Sequence, residues 1–495
     1  MLDRKTLKIH QNPTQKELRD LALKECPFVF KTADNNLNKV SRNKSRMAKC
    51  TFVMTNEPKE IFSGNTISQA EGERLIAVQE KYIQKKGSLV VIEGYLGVGP
   101  RAVPVEWSYT LEGANIAGMQ QILSFPRDRV ESAEQLKKPF KPLFRVIYTP
   151  GCEAEGVSGK QAIVVDLERR ITCIMGPDYF GESKKAALRL LNDYVYSQGG
   201  LVLHAGAKLV HVGNKQVTMT IKGLSGTGKT TTTFSKQGEV TQPIQDDMVS
   251  LWPKGECSIT ENGCFAKTYG LTKETEPVIY DGTRHPEAWV ENVFADKQGR
   301  YDFSKGILSK EEVNQWKDVL IGTGAPSQNV NNYIEGKITV KEILDENGVP
   351  KDGWDFVVWT QNGRSVIPMS TIPDAADFDK IPPVGSMGIL NRDEGPEAAM
   401  PGIVRFTSPE QAAGYFMLGE TTKTSAAGKE RGKTRSPFTQ PFFPRAHGLQ
   451  AKRFSQLAAT MPHTDLWLMN TGYVGGSQKE VDAGEALKIK IRHSS

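Results

Sequence analysis

Residues 223–234 read GLSGTGKTTTTF, and the first eight of them fit the spacing Gly-x-x-x-x-Gly-Lys-Ser/Thr. A chain that turns over small residues points backbone N–H groups inward, so Gly223, Leu224, Ser225, Gly226, Thr227 and Gly228 can cradle phosphate oxygens. Lys229 would then neutralise the β- and γ-phosphates, and the Thr230 hydroxyl would reach a magnesium ion. That is chemistry for holding a nucleoside triphosphate. Transfer of its phosphoryl group also needs a carboxylate to hold the metal, and Asp246-Asp247 follows within VTQPIQDDMVSLW. Gln242, Pro243 and Gln245 make that segment a poor apolar strand, and an acidic pair in a turn is by itself an ordinary solvated corner.

Three further groups carry usable chemistry: His204 in the β-like run LVLHAGA, the pair Lys184-Lys185, and Arg364 after Asn362-Gly363. Taken singly, each fits a structural role. A histidine among leucines is commonly a hydrogen-bonded core residue, paired lysines commonly form the wet side of a helix, and an arginine after Asn-Gly is a turn residue. Beside a phosphate cradle the same groups become a constellation for phosphoryl transfer.

The elements that must position them are legible in outline. Residues 87–98, 144–150 and 161–176 are rich in Val and Ile between turns and predict strands of a mixed sheet. SKKAALRLLNDYVYSQ places Leu188, Leu191 and Val195 at helical steps, with Gly199-Gly200 as the stop. Three β-like runs follow, LVLHAGA, KLVHVG and KQVTMTIKG, the last leading into the cradle and a predicted helix. A boundary near residue 199 divides the chain into 1–199 and 200–495. Residues 294–359 are dense in charge and turn formers and read as a surface insertion without new core, and 419–445 has the composition of a long functional loop.

Composition bounds the rest. With 24% charged and 38% hydrophobic residues over 495, the chain is an ordinary folded, water-soluble one. A net charge of +6, spread thinly, favours a small anionic substrate over nucleic acid. The six cysteines show no Cys-x-x-Cys spacing, no apolar leader opens the sequence and no apolar run is long enough to span a bilayer. The expectation is a cytoplasmic protein with reduced thiols and no membrane partner.

Taken together, the motifs resemble phosphoenolpyruvate carboxykinase, and more closely its ATP-dependent class, since the GTP-using class carries a cysteine within its phosphate loop. YFGESKKA looks like the family's Tyr-x-Gly-Glu-x-Lys-Lys segment, LVLHAGAKLV like its metal-histidine segment, and Asp246-Asp247 like its second kinase motif. ENGCFAKTYGLTKETEPVIYDG, TQNGRSVIP, KERGKTRSPF and MNTGYVGG resemble, in family order, the following segment, the catalytic-arginine segment, the nucleotide-base loop and a glycine-rich element.

The resemblance implies an α/β fold of two domains with mixed sheets: an N-terminal substrate-binding domain over 1–199 and a phosphate-loop domain over 200–495, with 419–445 as a mobile lid or base loop. It implies conversion of oxaloacetate and ATP to phosphoenolpyruvate, ADP and carbon dioxide, reversibly. Lys185, His204 and Asp247 would hold manganese, and Thr230 the magnesium that travels with ATP. Lys229, Arg364, Lys185 and Ser225 would be catalytic, and Tyr179, Lys184 and Arg364 would meet the substrate. Lys267, Glu276 and Arg431 would contact the nucleotide, in a monomer or small homo-oligomer.

Some segments depart from the family. Its Gly-Arg-Ser-Pro-Lys-x-Lys stretch, whose arginine binds the substrate carboxylate, is absent, and Arg42, Lys44 or Arg46 in VSRNKSRMAKCTFV could take that role. Gln245 stands where the family carries glycine before its acidic pair. A kinase of the same fold acting on another small carboxylate, and a nucleotide-binding regulatory protein without turnover, are the alternatives to the carboxykinase.

Overall fold

The computed structural model describes residues 3–43, 47–223, 228–234, 241–392, 401–425, 430–435, 437, 439 and 442–489, and between 420 and 435 the backbone alone. The Val- and Ile-rich runs of the first part become neighbouring strands of one mixed sheet. Its order is Lys8–Gln11, Ser88–Leu96, Val103–Tyr109, Phe144–Thr149, Ile171–Met175, Ala162–Asp166, Thr51–Met54 and Asn65–Ile67. Alternate residues feed two cores: Ile163, Val165 and Ile174 face the helices Ala114–Leu123 and Phe180–Ser197, while Val164, Cys173 and Met175 pack with Leu75 of the helix Gln69–Lys86. Covering both faces explains why Ala162–Asp166 is apolar without alternation.

The expected helix forms as Phe180–Ser197, but it is buried on nearly every side, not along one stripe. Lys184, which as one of a lysine pair could read as the wet side of the helix, lies one turn before Leu188 on the apolar stripe and is only 3% exposed.

A second mixed sheet orders Cys257–Ile259, Met248–Leu251, Leu201–Val212, Lys215–Lys222, Val384–Asn391, Asp465–Asn470 and Ile403–Arg405, with Thr241–Gln245 also paired to Leu201–Val212. LVLHAGA and KLVHVG, read as two runs, are one continuous strand. The glycine that suggests a break, Gly206, serves close approach: a Cβ there would lie 2.1 Å from Thr233 Oγ1 on the helix Lys229–Phe234. Thr241–Gln245 is a strand despite its proline, because Pro243 stands where the register against Leu201–Val212 shifts and its absent N–H is not missed.

The third sheet joins distant parts of the chain, in the order Gly263–Lys267, Arg364–Pro368, Trp289–Glu291, Leu37–Lys39 and Val29–Lys31. Residues 294–359 differ from the expectation of coreless surface. They carry the helices Lys310–Gln315, Lys317–Gly322, Ser327–Ile334 and Val340–Ile343 around Val313, Trp316, Leu320, Val330, Tyr333 and Trp359. Val313, Trp316 and Leu320 follow helical spacing, which the surrounding charges mask in the sequence. Within 419–445, Glu420–Ser425 and Glu430–Arg435 pair as a hairpin.

Candidate active site

Asp247 stands between the strands Thr241–Gln245 and Met248–Leu251, and three elements deliver groups to its carboxylate. His204, on Leu201–Val212 and in register with Met248, places Nε2 2.8 Å from Asp247 Oδ1. Lys229, first residue of the helix Lys229–Phe234, brings Nζ to 2.9 Å from the same oxygen. Lys184, from the helix Phe180–Ser197, reaches Oδ2 at 2.7 Å. Burial alone would raise the Asp247 carboxyl pKa, but Lys184, Lys229 and His204 outweigh it and hold the group well below the ordinary carboxylate range.

Two residues to which the sequence reading gave no role, Glu261 and Gln245, complete this cluster. Glu261 accepts from Lys184 Nζ at 2.9 Å, and Gln245 Nε2 donates to the same Glu261 oxygen at 3.3 Å. Burial pushes Glu261 up to about 7, Lys184 opposing and the Asp247 charge adding to the rise. Asp246 turns the other way, accepting from the Cys264 thiol at 3.1 Å. Burial raises its pKa, against Lys184 and with the charge of Asp247. Burial would lower Lys184, but Asp247 and Glu261 more than reverse it, so its ammonium stays charged. The signal for Glu261 was a lone acid next to a short β-like run; nothing local ties it to Lys184.

Lys185, one residue along, lies 3.3 Å from Glu182 Oε1, and Arg189 bonds the other oxygen at 3.0 Å. Met47 N–H also donates to Glu182, at 2.8 Å. Burial would raise Glu182, yet Lys185 and Arg189 bring it down to about 2. Lys185, Arg189 and Phe442 line a cavity of about 220 Å³, and the Phe442 ring lies 5.5 Å from that of His204.

The third sheet presents the other candidates. Arg364 is in register with Lys267 on one side and Glu291 on the other, so the three share a sheet face. Arg364 Nε donates to the Tyr179 hydroxyl at 3.3 Å, and Phe265 lies between two cations, 5.6 Å from the Arg364 guanidinium and 5.5 Å from Lys184 Nζ. Burial raises the Tyr179 phenol and Arg364 partly offsets it. Glu291 is a carboxylate in a fully buried strand, a signal in WVENV that the sequence reading did not use, and it accepts from Phe180 N–H at 3.2 Å. Glu276 accepts from the Thr231 hydroxyl, which brings it to the helix that carries Thr230.

Arg42 donates to the carbonyls of Pro150 and Gly176 at 2.6 and 2.9 Å, while Asp178 receives its backbone N–H at 2.9 Å. Gly223 lies buried at the end of the strand Lys215–Lys222, and Gly228, at φ +93°, takes the left-handed turn that starts the helix. Leu224, Ser225, Gly226 and Thr227, with Lys44 and Arg46, lie outside the described residues. Arg431 is on the strand Glu430–Arg435, opposite Thr424, in the segment described by backbone alone.

With this geometry in place, comparison with known proteins is decisive. The family model of phosphoenolpyruvate carboxykinase in its ATP form matches residues 7–313 and 343–494. The chain belongs to that family. Its match skips 314–342, which lies within the 294–359 read as an insertion. Among curated relatives, "Phosphoenolpyruvate carboxykinase (ATP)" of Afipia carboxidovorans is 31% identical over 368 residues, 71% of this chain and 55% of the relative. The Bradyrhizobium sp. (strain ORS 278) protein of the same name is 29% identical over 364 residues, again 71% and 55%. "Phosphoenolpyruvate carboxykinase (ATP) 1" of Moorella thermoacetica is 29% identical over 425 residues, 83% of this chain and 66% of the relative. The chain thus spans a little over half the length of the first two relatives.

Among the described residues no helix is long and apolar enough to cross a membrane, and all six cysteines are free thiols.

Proposed function

We propose that the chain converts oxaloacetate and ATP to phosphoenolpyruvate, ADP and carbon dioxide, reversibly. The observation that carries this reading is the meeting of His204, Lys229 and Lys184 on Asp247 in a chain of this family. In the reaction, the bond from the oxaloacetate methylene to its distal carboxyl carbon breaks, carbon dioxide leaves and the electron pair stays as an enolate. The enolate oxygen attacks the γ-phosphorus, and the bond to the ADP oxygen breaks.

Lys229 and Arg364 stabilise the charge of the transferring phosphoryl group, with Ser225 over the phosphates. Tyr179, oriented by Arg364, lies against the acid or the departing carbon dioxide, whereas Lys184, expected to meet the substrate, is buried and paired with Asp247 and Glu261 and instead positions those carboxylates. Arg42, its guanidinium tied to two carbonyls, is the residue of the three basic candidates that grips the carboxylate. Lys267, Glu276 and Arg431 serve the nucleotide.

His204, Asp247 and Lys185 would hold manganese, and Thr230 magnesium with ATP. The donor chemistry fits: an imidazole nitrogen and an ionised carboxylate oxygen stand 2.8 Å apart in a largely buried wall. No three His, Cys, Asp or Glu side chains among the described residues gather into a metal site, and the set implied by the resemblance adds a lysine amine. By resemblance to the family that lysine is Lys185, whose Nζ lies 3.3 Å from Glu182 Oε1. Such a cation would supply positive charge for the enolate and phosphate oxygens. In the same reading the parts before and after residue 199 flank the substrate, 419–445 closes over it, and the protein works in the cytoplasm as a monomer or small homo-oligomer.

The test is to incubate the purified protein with oxaloacetate, manganese, magnesium and either ATP or GTP, following phosphoenolpyruvate. Formation with ATP supports the proposal. ATP turnover onto a different acceptor would make it another kinase, and binding without turnover would make it a regulatory protein.

A further inference from the structure

We propose that Gln245 is a positioning residue, one whose amide clamps Glu261 and so sets Lys184 across the Asp247 and Glu261 carboxylates. A side-chain amide offers a carbonyl acceptor and two N–H donors, and Gln245 turns its acceptor and one donor on a single two-residue segment. Its Oε1 accepts from the backbone N–H groups of Thr260 and Glu261, each at 3.1 Å, and its Nε2 donates to Glu261 Oε2 at 3.3 Å. Gln245 is completely buried at the end of the strand Thr241–Gln245, directly before the acidic pair, so the clamp links that corner to the segment before Gly263–Lys267.

The consequence runs outward through Glu261. The oxygen held by Gln245 is the one that takes Lys184 Nζ at 2.9 Å, and the same ammonium spans to Asp247 Oδ2 at 2.7 Å. With Oδ2 occupied from that side, Oδ1 is the oxygen presented to His204 and Lys229, at 2.8 and 2.9 Å. Without the clamp the Glu261 carboxylate is free to rotate about its side-chain torsions. Lys184 then settles on Asp247 alone, and the face that Asp247 turns to the site is no longer fixed. Buried polar groups of this kind act as a unit, and a half-satisfied set is worse than none. Gln245 touches neither substrate nor nucleotide in this arrangement; it acts through Glu261 and Lys184.

The inference rests on the proposed carboxykinase reading for its kinetic arm, so a second readout is independent of turnover: manganese affinity of the full chain, measured by the loss of the free-ion paramagnetic resonance signal. Gln245→Met removes donor and acceptor at nearly constant volume. We expect it to lower kcat for phosphoenolpyruvate formation by about tenfold or more and manganese affinity by about tenfold. Gln245→Asn keeps an uncharged amide one methylene short of Glu261, so it is the milder change if Gln245→Met does not fold, and the same losses are expected. In a Glu261→Gln background, Gln245→Met should cost less than about threefold more, since residues acting through one another are not additive.

Variants with kcat and manganese affinity within about twofold of the wild type would overturn the inference, as would losses that simply multiply in the double variant. A wild-type chain that binds manganese but forms no phosphoenolpyruvate sinks the proposed function instead, and the affinity series then decides this inference alone.

Discussion

Three groups bearing protons or charge share the Asp247 carboxylate within 2.9 Å, so replacing it should separate chemistry from folding. Asp247→Asn keeps the shape and removes the negative charge. Turnover should fall by about two orders of magnitude or more, with an unchanged far-ultraviolet circular dichroism spectrum; retained activity would remove Asp247 from the site. Lys222 presents the opposite case, a cation with nothing to neutralise it. It is fully buried, finds no hydrogen-bond partner among the described residues and has only the Phe454 ring 5.1 Å away. Burial pushes its ammonium from 10.5 down to about 7. Between those values the unfolded chain holds a proton that the folded chain does not, so stability rises with pH through that window and is lowest, and flat, below about 7. Lys222→Met should therefore stabilise the protein by about 3–5 kcal/mol below neutral pH, a gain that fades as pH approaches 10.5. Urea titrations from pH 6 to 10 check it, and a gain independent of pH would refute the mechanism. At this scale the sequence named Lys229, His204 and Asp247 because each sits in a short pattern with its own chemistry. Gln245 and Glu261 carry no such pattern; their role exists only once two segments meet.

At the scale of elements, the strand Leu201–Val212 and the helix Lys229–Phe234 are coupled by the absence of one carbon. Gly206 admits Thr233, whose hydroxyl donates to the Lys229 carbonyl at 2.9 Å and secures the start of the helix. Gly206→Ala would set a Cβ 2.1 Å from that hydroxyl oxygen, and the helix or the bond must yield. The expected outcome is ATP affinity weakened by about five- to tenfold with little change in thermal stability, restored in part by adding Thr233→Ala. Isothermal titration with ATP checks it; equal affinities for the single and double variants would show that the contact does not govern the cradle. The same glycine shows where pattern reading stops. A glycine inside an apolar run reads equally as a turn or as room for a neighbour, and only the packed helix decides. The helix Phe180–Ser197 was legible from Leu188, Leu191 and Val195, and the stripe runs back to Lys184, but the two carboxylates buried with it come from other segments that the helix pattern cannot show.

Across the whole molecule, the strongest departure from both pattern and family is the helical segment around Trp316. Its charged exposed positions hid a core, and the family match omits 314–342, yet that core reaches the candidate site from behind. Trp316 meets Phe30 edge-on at 5.3 Å and Trp359 at 5.6 Å, donates Nε1–H to the Ala295 carbonyl at 3.2 Å, and shares its cluster with Val40. Val40 leads directly to Ser41 and Arg42, where Asn292 and Asp178 pin the backbone N–H groups at 3.0 and 2.9 Å. A segment that the family match omits thus supports the stretch that carries Arg42. Trp316→Ala should destabilise the protein by about 3–5 kcal/mol through lost burial and the cavity left behind. Because the loosened cluster adjoins Arg42 and not the phosphate loop, the KM for oxaloacetate should rise by about fivefold or more while that for ATP stays within about twofold. Steady-state kinetics well below the variant's melting temperature separate the two, and equal rises in both KM values would show that the segment supports stability without bearing on how the acid is held.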